Sequence, residues 1–233
     1  MRREIILYYR LTQRIAGAAP SCMRVESPRR LQQELEQARK GYYAYRSNTL
    51  SFVPFSDAKA SQAEKQAQKQ RFLFIDRDGT LIDEPPDGMI DSLNKLKIKD
   101  GVLLALQEAQ ANGYKLVIIS NQPGLGTGEF PTETFLPAQT KLMETLEEQG
   151  ICVTDAVFCP HFESEPCPCR KPSPFMLEKY LDQCNPATSF VVGDRGSDKK
   201  LAQNLGLAPE HGLTIGENGR YTWKEIPGVI FSS

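Results

Sequence analysis

Seven residues of this chain have the types and the spacing for phosphoryl chemistry: Asp76 and Asp78 in DRDGT, Ser120 and Asn121 in SNQ, Arg170 and Lys171 in RKP, and Asp194 in GDRGSD. Carboxylates suit a hard cation such as Mg²⁺, which takes oxygen ligands and shares them with a substrate phosphate. Asp76 could attack phosphorus, splitting a hydrolysis into two easier steps through an aspartyl-phosphate. Asp78, two residues on, would protonate the leaving alkoxide and later deprotonate the attacking water. Crowded carboxylates raise one another's pKa, which favours the acid role. Ser120 and the Asn121 amide could hydrogen-bond the transferring group, Lys171 would neutralise its charge, and Asp194 would complete the metal set. Taken singly, each piece is ordinary. A D-x-D is usually a surface turn, Ser-Asn after a strand is a common turn, and one lysine is usually a solvated charge. Their order along the chain carries the reading.

A second cluster is local. CPHFESEPCPCRKP, residues 159 to 172, holds three of the six cysteines and one of the two histidines. Cys159, His161, Cys167 and Cys169 have the spacing C-x-H-x5-C-x-C. Three thiolates and an imidazole make a closed tetrahedral set for structural Zn²⁺, whereas Mg²⁺ would not choose them. A disulfide would leave an odd cysteine, and a redox pair would need C-x-x-C. Because Lys171 follows Cys169 by two residues, zinc would hold the loop so that the lysine reaches a phosphate. Cys22, Cys152 and Cys184 read as ordinary thiols.

These residues need a scaffold that brings them to one edge. RFLFID, KLVIIS, AVFC and SFVVGD are short, β-rich apolar runs. Helical stretches lie between and after them: GVLLALQEAQANG, PTETFLPAQTKLMETLEEQG, SPFMLEKYLDQC and GSDKKLAQNLG. Gly113, Gly150 and Gly206 stand where a helix is expected to end. Alternating strands and helices predict an α/β fold with a doubly wound parallel sheet. In such sheets ligands bind beyond the carboxyl ends of the strands, where every one of the motifs falls.

DRDGT, SNQ, RKP and GDRGSD, each after its strand and in this order, resemble the four motifs of the haloacid dehalogenase-like phosphatase superfamily. The resemblance runs from about Gln68 to the C-terminus. It implies a Rossmann-like sheet, Asp76 as nucleophile and Asp78 as general acid/base. It also implies Mg²⁺ held by Asp76, the Asp78 backbone carbonyl and Asp194, and Ser120, Asn121, Arg170 and Lys171 as phosphate and substrate binders. The DRDGT–SNQ–RKP form is similar to the histidinol-phosphatase and heptose-bisphosphate phosphatase branch. The heptose branch carries a longer insert between its C-x-H and C-x-C pairs. The five-residue spacing here, with IDEPP and NQPGLGTGEFP, resembles the histidinol-phosphate side. In many bacteria that domain is fused ahead of an imidazoleglycerol-phosphate dehydratase, and no dehydratase half is expected in these residues. Neither Leu81–Val117 nor Gln122–Asp155 has room for a large cap domain. An open crevice is expected, with Asp83, Glu84, Glu163 and Glu165 near its rim.

The 233 residues suffice for one such domain with something smaller attached. Hydrophobic content of 40% and charged content of 24% are ordinary for a globular protein. The longest apolar runs, of about five residues, exclude a membrane-spanning helix, and no secretory signal opens the chain. A cytoplasmic location follows as the expectation, where clustered cysteines are metal ligands or catalytic more often than disulfides. The net charge of −1 hides an asymmetry: 13 Lys and Arg against 6 Asp and Glu before Arg71, and 15 against 23 from there on. A boundary is therefore placed at 67/68. Residues 1–67 read as a basic extension, poorly structured or helical, with a helix over SPRRLQQELEQARK and no strand of the sheet. That leader has no counterpart in the resembling family. It is either a lineage-specific extension or an early start, QKQRFLFIDRDG being a natural beginning. Its scattered charges do not suggest nucleic acid, and the oligomeric state is left open.

The expected function is Mg²⁺-dependent hydrolysis of L-histidinol phosphate in histidine biosynthesis, with Zn²⁺ structural. The alternative substrate is a heptose bisphosphate or another small phosphate ester. An alternative of another class is a zinc-stabilised binding module whose old active site only holds phosphate. Intact Asp76, Asp78, Lys171 and Asp194 speak against that one.

Overall fold

The computed structural model describes residues 40–46, 48–55, 69–216 and 219–232. The expected helix over SPRRLQQELEQARK lies almost wholly outside them, as does Cys22. In chain order the elements are β1 (Gly41–Arg46), β2 (Thr49–Pro54), β3 (Arg71–Ile75), α1 (Val102–Ala111), β4 (Tyr114–Asn121), α2 (Thr132–Glu148) and β5 (Val153–Cys159). After these come α3 (Glu178–Leu181), β6 (Phe190–Gly193), α4 (Gly196–Asn204), β7 (Gly212–Thr214) and α5 (Ile226–Phe231). The strands form one sheet in the order β2-β1-β5-β4-β3-β6-β7. β3 to β7 are parallel throughout, and β1 pairs antiparallel with both β2 and β5.

The central strands are apolar on both faces, as a sheet covered by helices on both sides requires. In β3, Leu73 and Ile75 face α1 and α2 through Val102, Leu106, Phe135 and Leu142. Phe72 and Phe74 face the other way, against Met176, Leu177, Tyr180 and Leu201. The alternation follows from the period-two geometry of a strand. From β3 the chain winds outward through β4 to β5. It then crosses back to β6 on the far side of β3 and continues to β7. The winding reverses between β3 and β6, so a crevice opens beyond the ends of those two strands. Gly113, Gly150 and Gly206 follow α1, α2 and α4 with φ of 82°, 71° and 76°, as expected of helix ends. Between β3 and α1 the segment after Leu81 runs as loop with one 3₁₀ turn, Leu93–Lys95.

One expectation is corrected. The segment before residue 68 does hold strands of the sheet: β1 and β2 form a hairpin that extends it past β5, with Tyr43 opposite Phe158 and Tyr45 opposite Ala156. The physical reason is plain in YYAYRSNTLSFVPF. Aromatic and β-branched residues flank a turn in which Asn48 takes a φ of 58°, a conformation asparagine tolerates. Arg46 anchors the hairpin by a two-point contact with buried Asp155, at 3.1 and 2.9 Å.

Candidate active site

Asp76 stands one residue past β3, where its N–H still donates to the Val192 carbonyl of β6 at 2.9 Å. The chain then turns tightly, the Arg77 carbonyl accepting from the N–H groups of Leu81 and Ile82 at 2.8 and 3.1 Å. Gly79 makes that turn possible. Its φ is +73°, and a Cβ there would lie 2.2 Å from the Asp194 carboxylate. Only glycine permits both the backbone conformation and the close approach. Asp194, one residue past β6, therefore lies against the loop that carries Asp76. Asp76, Asp194 and Asp198 offer oxygens all within 4.8 Å of one another.

Lys171 reaches into this cluster. Its Nζ lies 2.6 Å from Asp76 Oδ1 and 2.7 Å from Asp198 Oδ1, and all three side chains are buried. Burial works against the ammonium, but Asp76 and Asp198 outweigh it and hold the Lys171 pKa above its usual value. Asp194 is pushed up to about 7, first by burial and then by Asp76 and Asp198, with Arg195 opposing. Asp198 is raised for the same leading reasons, burial and then Asp76. Asp194 and Asp198, both raised beside Asp76, belong to a donor set that a divalent cation would relieve. Asp198 was not assigned a site role from sequence. It sits in the first turn of α4, accepting the Arg195 N–H at 3.1 Å, and a capping aspartate is the usual reading of that position.

Asp78 is held apart from the cluster by its own donors. The Arg77 Nη1 donates to one oxygen at 2.6 Å, and the Gln122 amide to the other. Burial raises the Asp78 pKa, Arg77 opposes, and Asp76 adds to the rise. A carboxyl inclined to keep its proton fits a general acid. Arg77 itself is fully buried. Its Nε donates to Gln139 Oε1 at 2.9 Å and its guanidinium lies 4.8 Å over the Phe135 ring, both on α2. A basic residue between two acids looks like a solvated charge in sequence, so neither the burial of Arg77 nor its bond to Gln139 was legible there.

The remaining expected residues reach the same crevice. Its volume is about 730 Å³, and Asp76, Asp78, Ser120, Asn121, Arg170 and Lys171 all line it. Ser120 Oγ accepts from Gln122 Nε2 at 3.0 Å. The Asn121 side chain brackets the Lys171 backbone, accepting its N–H at 2.9 Å and donating to its carbonyl at 3.3 Å. Its amide thus helps to place Lys171, a contact that sequence did not suggest. Arg170 Nη1 donates to the His161 carbonyl at 3.0 Å. Of the four expected rim acids, Glu84 and Glu163 line the crevice, and Glu84 is clasped by Arg195 Nη2 at 2.5 and 2.6 Å. Asp83 instead pairs with Lys97 and Lys99, while Glu165 accepts the Phe162 N–H and shapes the loop.

Behind Arg170 and Lys171, the donor atoms of Cys159, His161, Cys167 and Cys169 lie within 4.8 Å of one another. Cys159 Sγ is 3.1 Å from Cys169 Sγ and 3.4 Å from His161 Nδ1. The Cys169 thiol donating to Cys159, with His161 adjacent, pulls the Cys159 thiol down to about 5 against the cost of burial. Three sulfurs and one ring nitrogen at tetrahedral-edge separations are a set that can hold a metal. The Gln122 N–H donates to the Cys159 carbonyl at 2.7 Å, tying this loop to the one after β4.

A doubly wound sheet with acids, a lysine and a hydroxyl gathered at its switch point defines a class. The chain belongs to the haloacid dehalogenase-like hydrolase family, whose model matches residues 20–206. Among named relatives, the histidine biosynthesis bifunctional protein HisB of Campylobacter jejuni is 47% identical over 167 residues, covering 70% of this chain and 46% of that protein. HisB of Legionella pneumophila is 39% identical over 165 residues, with the same coverage. This chain spans under half the length of the curated relatives it matches. Among solved structures, the D,D-heptose 1,7-bisphosphate phosphatase of B. bronchiseptica, complexed with magnesium and phosphate, is similar at a TM-score of 0.54 and 28% identity. That match covers 59% of this chain and 78% of that one.

Proposed function

We propose that this chain hydrolyses L-histidinol phosphate to L-histidinol and phosphate, as a step of histidine biosynthesis in the cytoplasm. The observation that supports it most is the arrangement around Asp76: a carboxylate 2.6 Å from Lys171 Nζ, grouped with Asp194 and Asp198, beside an Asp78 inclined to hold a proton. An Asp76 oxygen forms a bond to phosphorus as the ester P–O bond breaks, and the Asp78 proton goes to the leaving oxygen. Water then attacks the aspartyl-phosphate, Asp78 takes a proton from it, and Asp76 is released. Ser120 and Lys171 balance charge on the transferring group. Asp76, Asp194 and the Asp78 carbonyl, with Asp198 beside them, would hold Mg²⁺, which when bound supplies further charge neutralisation. Zn²⁺ in the Cys159–His161–Cys167–Cys169 set has a structural role, since four protein ligands leave no open position.

The substrate assignment draws on the likeness to HisB and on the rim. Glu129 and Glu163 line the crevice and would favour a substrate carrying an ammonium and an imidazole over one with a second phosphate. The heptose bisphosphate is the second reading, favoured by the B. bronchiseptica enzyme's similarity. No helix among the described residues is long and apolar enough to cross a membrane. The test is kcat/KM on both esters. Histidinol phosphate should win by about a hundredfold or more, equivalent to about 3 kcal/mol in transition-state binding. Equal efficiency, or preference for the bisphosphate, sinks the substrate assignment and leaves the phosphatase chemistry standing.

A further inference from the structure

Residues 41–55 carry no group that the phosphatase chemistry uses, yet they touch the metal-ligand loop at several points. β1 covers the edge of β5, with Tyr43 opposite Phe158, the residue before the first ligand Cys159. The Gly41 carbonyl lies 4.0 Å from the Cys169 sulfur. Past β2, the Phe55 N–H closes the hairpin on the Lys40 carbonyl at 2.9 Å. The Phe55 ring is then stacked on the His161 imidazole, with centroids 6.0 Å apart and planes at 21°. Phe175 holds Phe55 from the side, edge-on at 5.3 Å. Tyr43 meets the loop after β4: its hydroxyl stands 2.3 Å from where a Cβ on Gly126 would be, and Gly126 has a φ of +88°. The same hairpin therefore abuts both loops that meet at Lys171.

We propose that the 41–55 hairpin is the outer wall of the Cys159–His161–Cys167–Cys169 metal site, with Phe55 a positioning residue that shields His161 and so keeps Lys171 in register. An apolar shell around a metal controls water access to its ligands, and its loss loosens the metal. Three of the four ligands are already dry, Cys159 and Cys169 being 0% and His161 2% exposed, and Cys167 is partly exposed. Phe55 is the ring that covers the imidazole face. A displacement of His161 passes through its carbonyl to Arg170, and Lys171 is the next residue. Lys171 must hold two contacts of 2.6 and 2.7 Å, and small errors of placement are costly in catalysis. The inference rests on zinc occupying the four ligands and is independent of which ester is the substrate.

The experiment is zinc release from the full chain to a chromogenic chelator, well below the unfolding temperature, with turnover of p-nitrophenyl phosphate read in parallel. Phe55→Ala should release zinc about tenfold faster or more, with a fall in kcat. Phe55→Tyr, which keeps the ring, should restore both. Ser51→Ala, exposed on the same hairpin, should match wild type. Wild-type release from Phe55→Ala overturns the proposal. If circular dichroism shows that Phe55→Ala does not fold, Phe55→Leu is read with the same two outcomes. A purified chain free of zinc by elemental analysis also overturns it. A chain that loses zinc faster in Phe55→Ala yet hydrolyses no phosphate ester sinks the phosphatase reading and supports this one.

Discussion

Replacing Lys171 by methionine keeps most of the stem and removes the ammonium. In wild type the Nζ sits 2.6 Å from Asp76 and 2.7 Å from Asp198, with only 3% of the side chain exposed. At that separation and an effective dielectric near 20, each contact is worth about 6 kcal/mol before the cost of desolvation. Loss of one partner from a buried ion cluster costs about 3–5 kcal/mol net, because the remaining charges stay buried without compensation. Asp194 and Asp198, already raised in pKa, can take up protons and reduce that cost, so the lower end of the range is expected. A divalent cation can replace the missing positive charge, so Mg²⁺ should return much of the lost stability to Lys171→Met. It cannot return the cation that meets the phosphoryl oxygens, so kcat should stay down by about 10²–10³ with Mg²⁺ saturating. Thermal unfolding with and without Mg²⁺, together with phosphate release at saturating substrate, measures both effects. A Lys171→Met enzyme that turns over within a few-fold of wild type would refute the role of this ammonium.

Two further outcomes follow from the same geometry. Asp76→Asn should abolish turnover while leaving the circular dichroism spectrum unchanged, because an amide cannot form the acyl-phosphate; wild-type rates from contaminant-free enzyme would show that the route is not covalent. Asp155 is buried, and although burial alone would raise its pKa, Arg46 and Lys179 hold it below the usual carboxylate value. A depressed native pKa adds stability that is fully present above about pH 4 and lost as pH falls through the native value. Asp155→Asn should therefore unfold at lower temperature than wild type at pH 7, with the gap closing below about pH 4. A gap that is constant across that range would show that the pair adds no pH-dependent stability.

The four central strands, the helices after them and the Cys/His cluster were legible in sequence because their signals are local. A short continuous apolar run such as RFLFI, a glycine after a helix, and C-x-H-x5-C-x-C each declare themselves within a dozen residues. The β1–β2 hairpin carries a local signal too, aromatic and β-branched residues on either side of a turn in YYAYRSNTLSFV, but the basic charge of its surroundings masks it. β7, at three residues, and α5, with Pro227 and Gly228 near its start, carry too little pattern to stand out.

What tertiary structure alone decided is which of two readings each polar side chain takes. Arg77 and Lys95 are both basic residues close to acids in sequence. One is fully buried, with Asp78 and Gln139 as partners, and the other pairs with Asp87 and Asp91 on the surface. Asp198 could cap a helix or join a metal cluster, and it does the first while lying where it could do the second. Asn121 lines the crevice, and its amide also holds the Lys171 backbone. The order of residues determined that acids, a hydroxyl and a lysine would follow successive strands. The order of strands in the sheet determined which of them meet, because contacts such as Thr80 to Asp194 join residues 114 positions apart, a distance over which no local periodicity carries information.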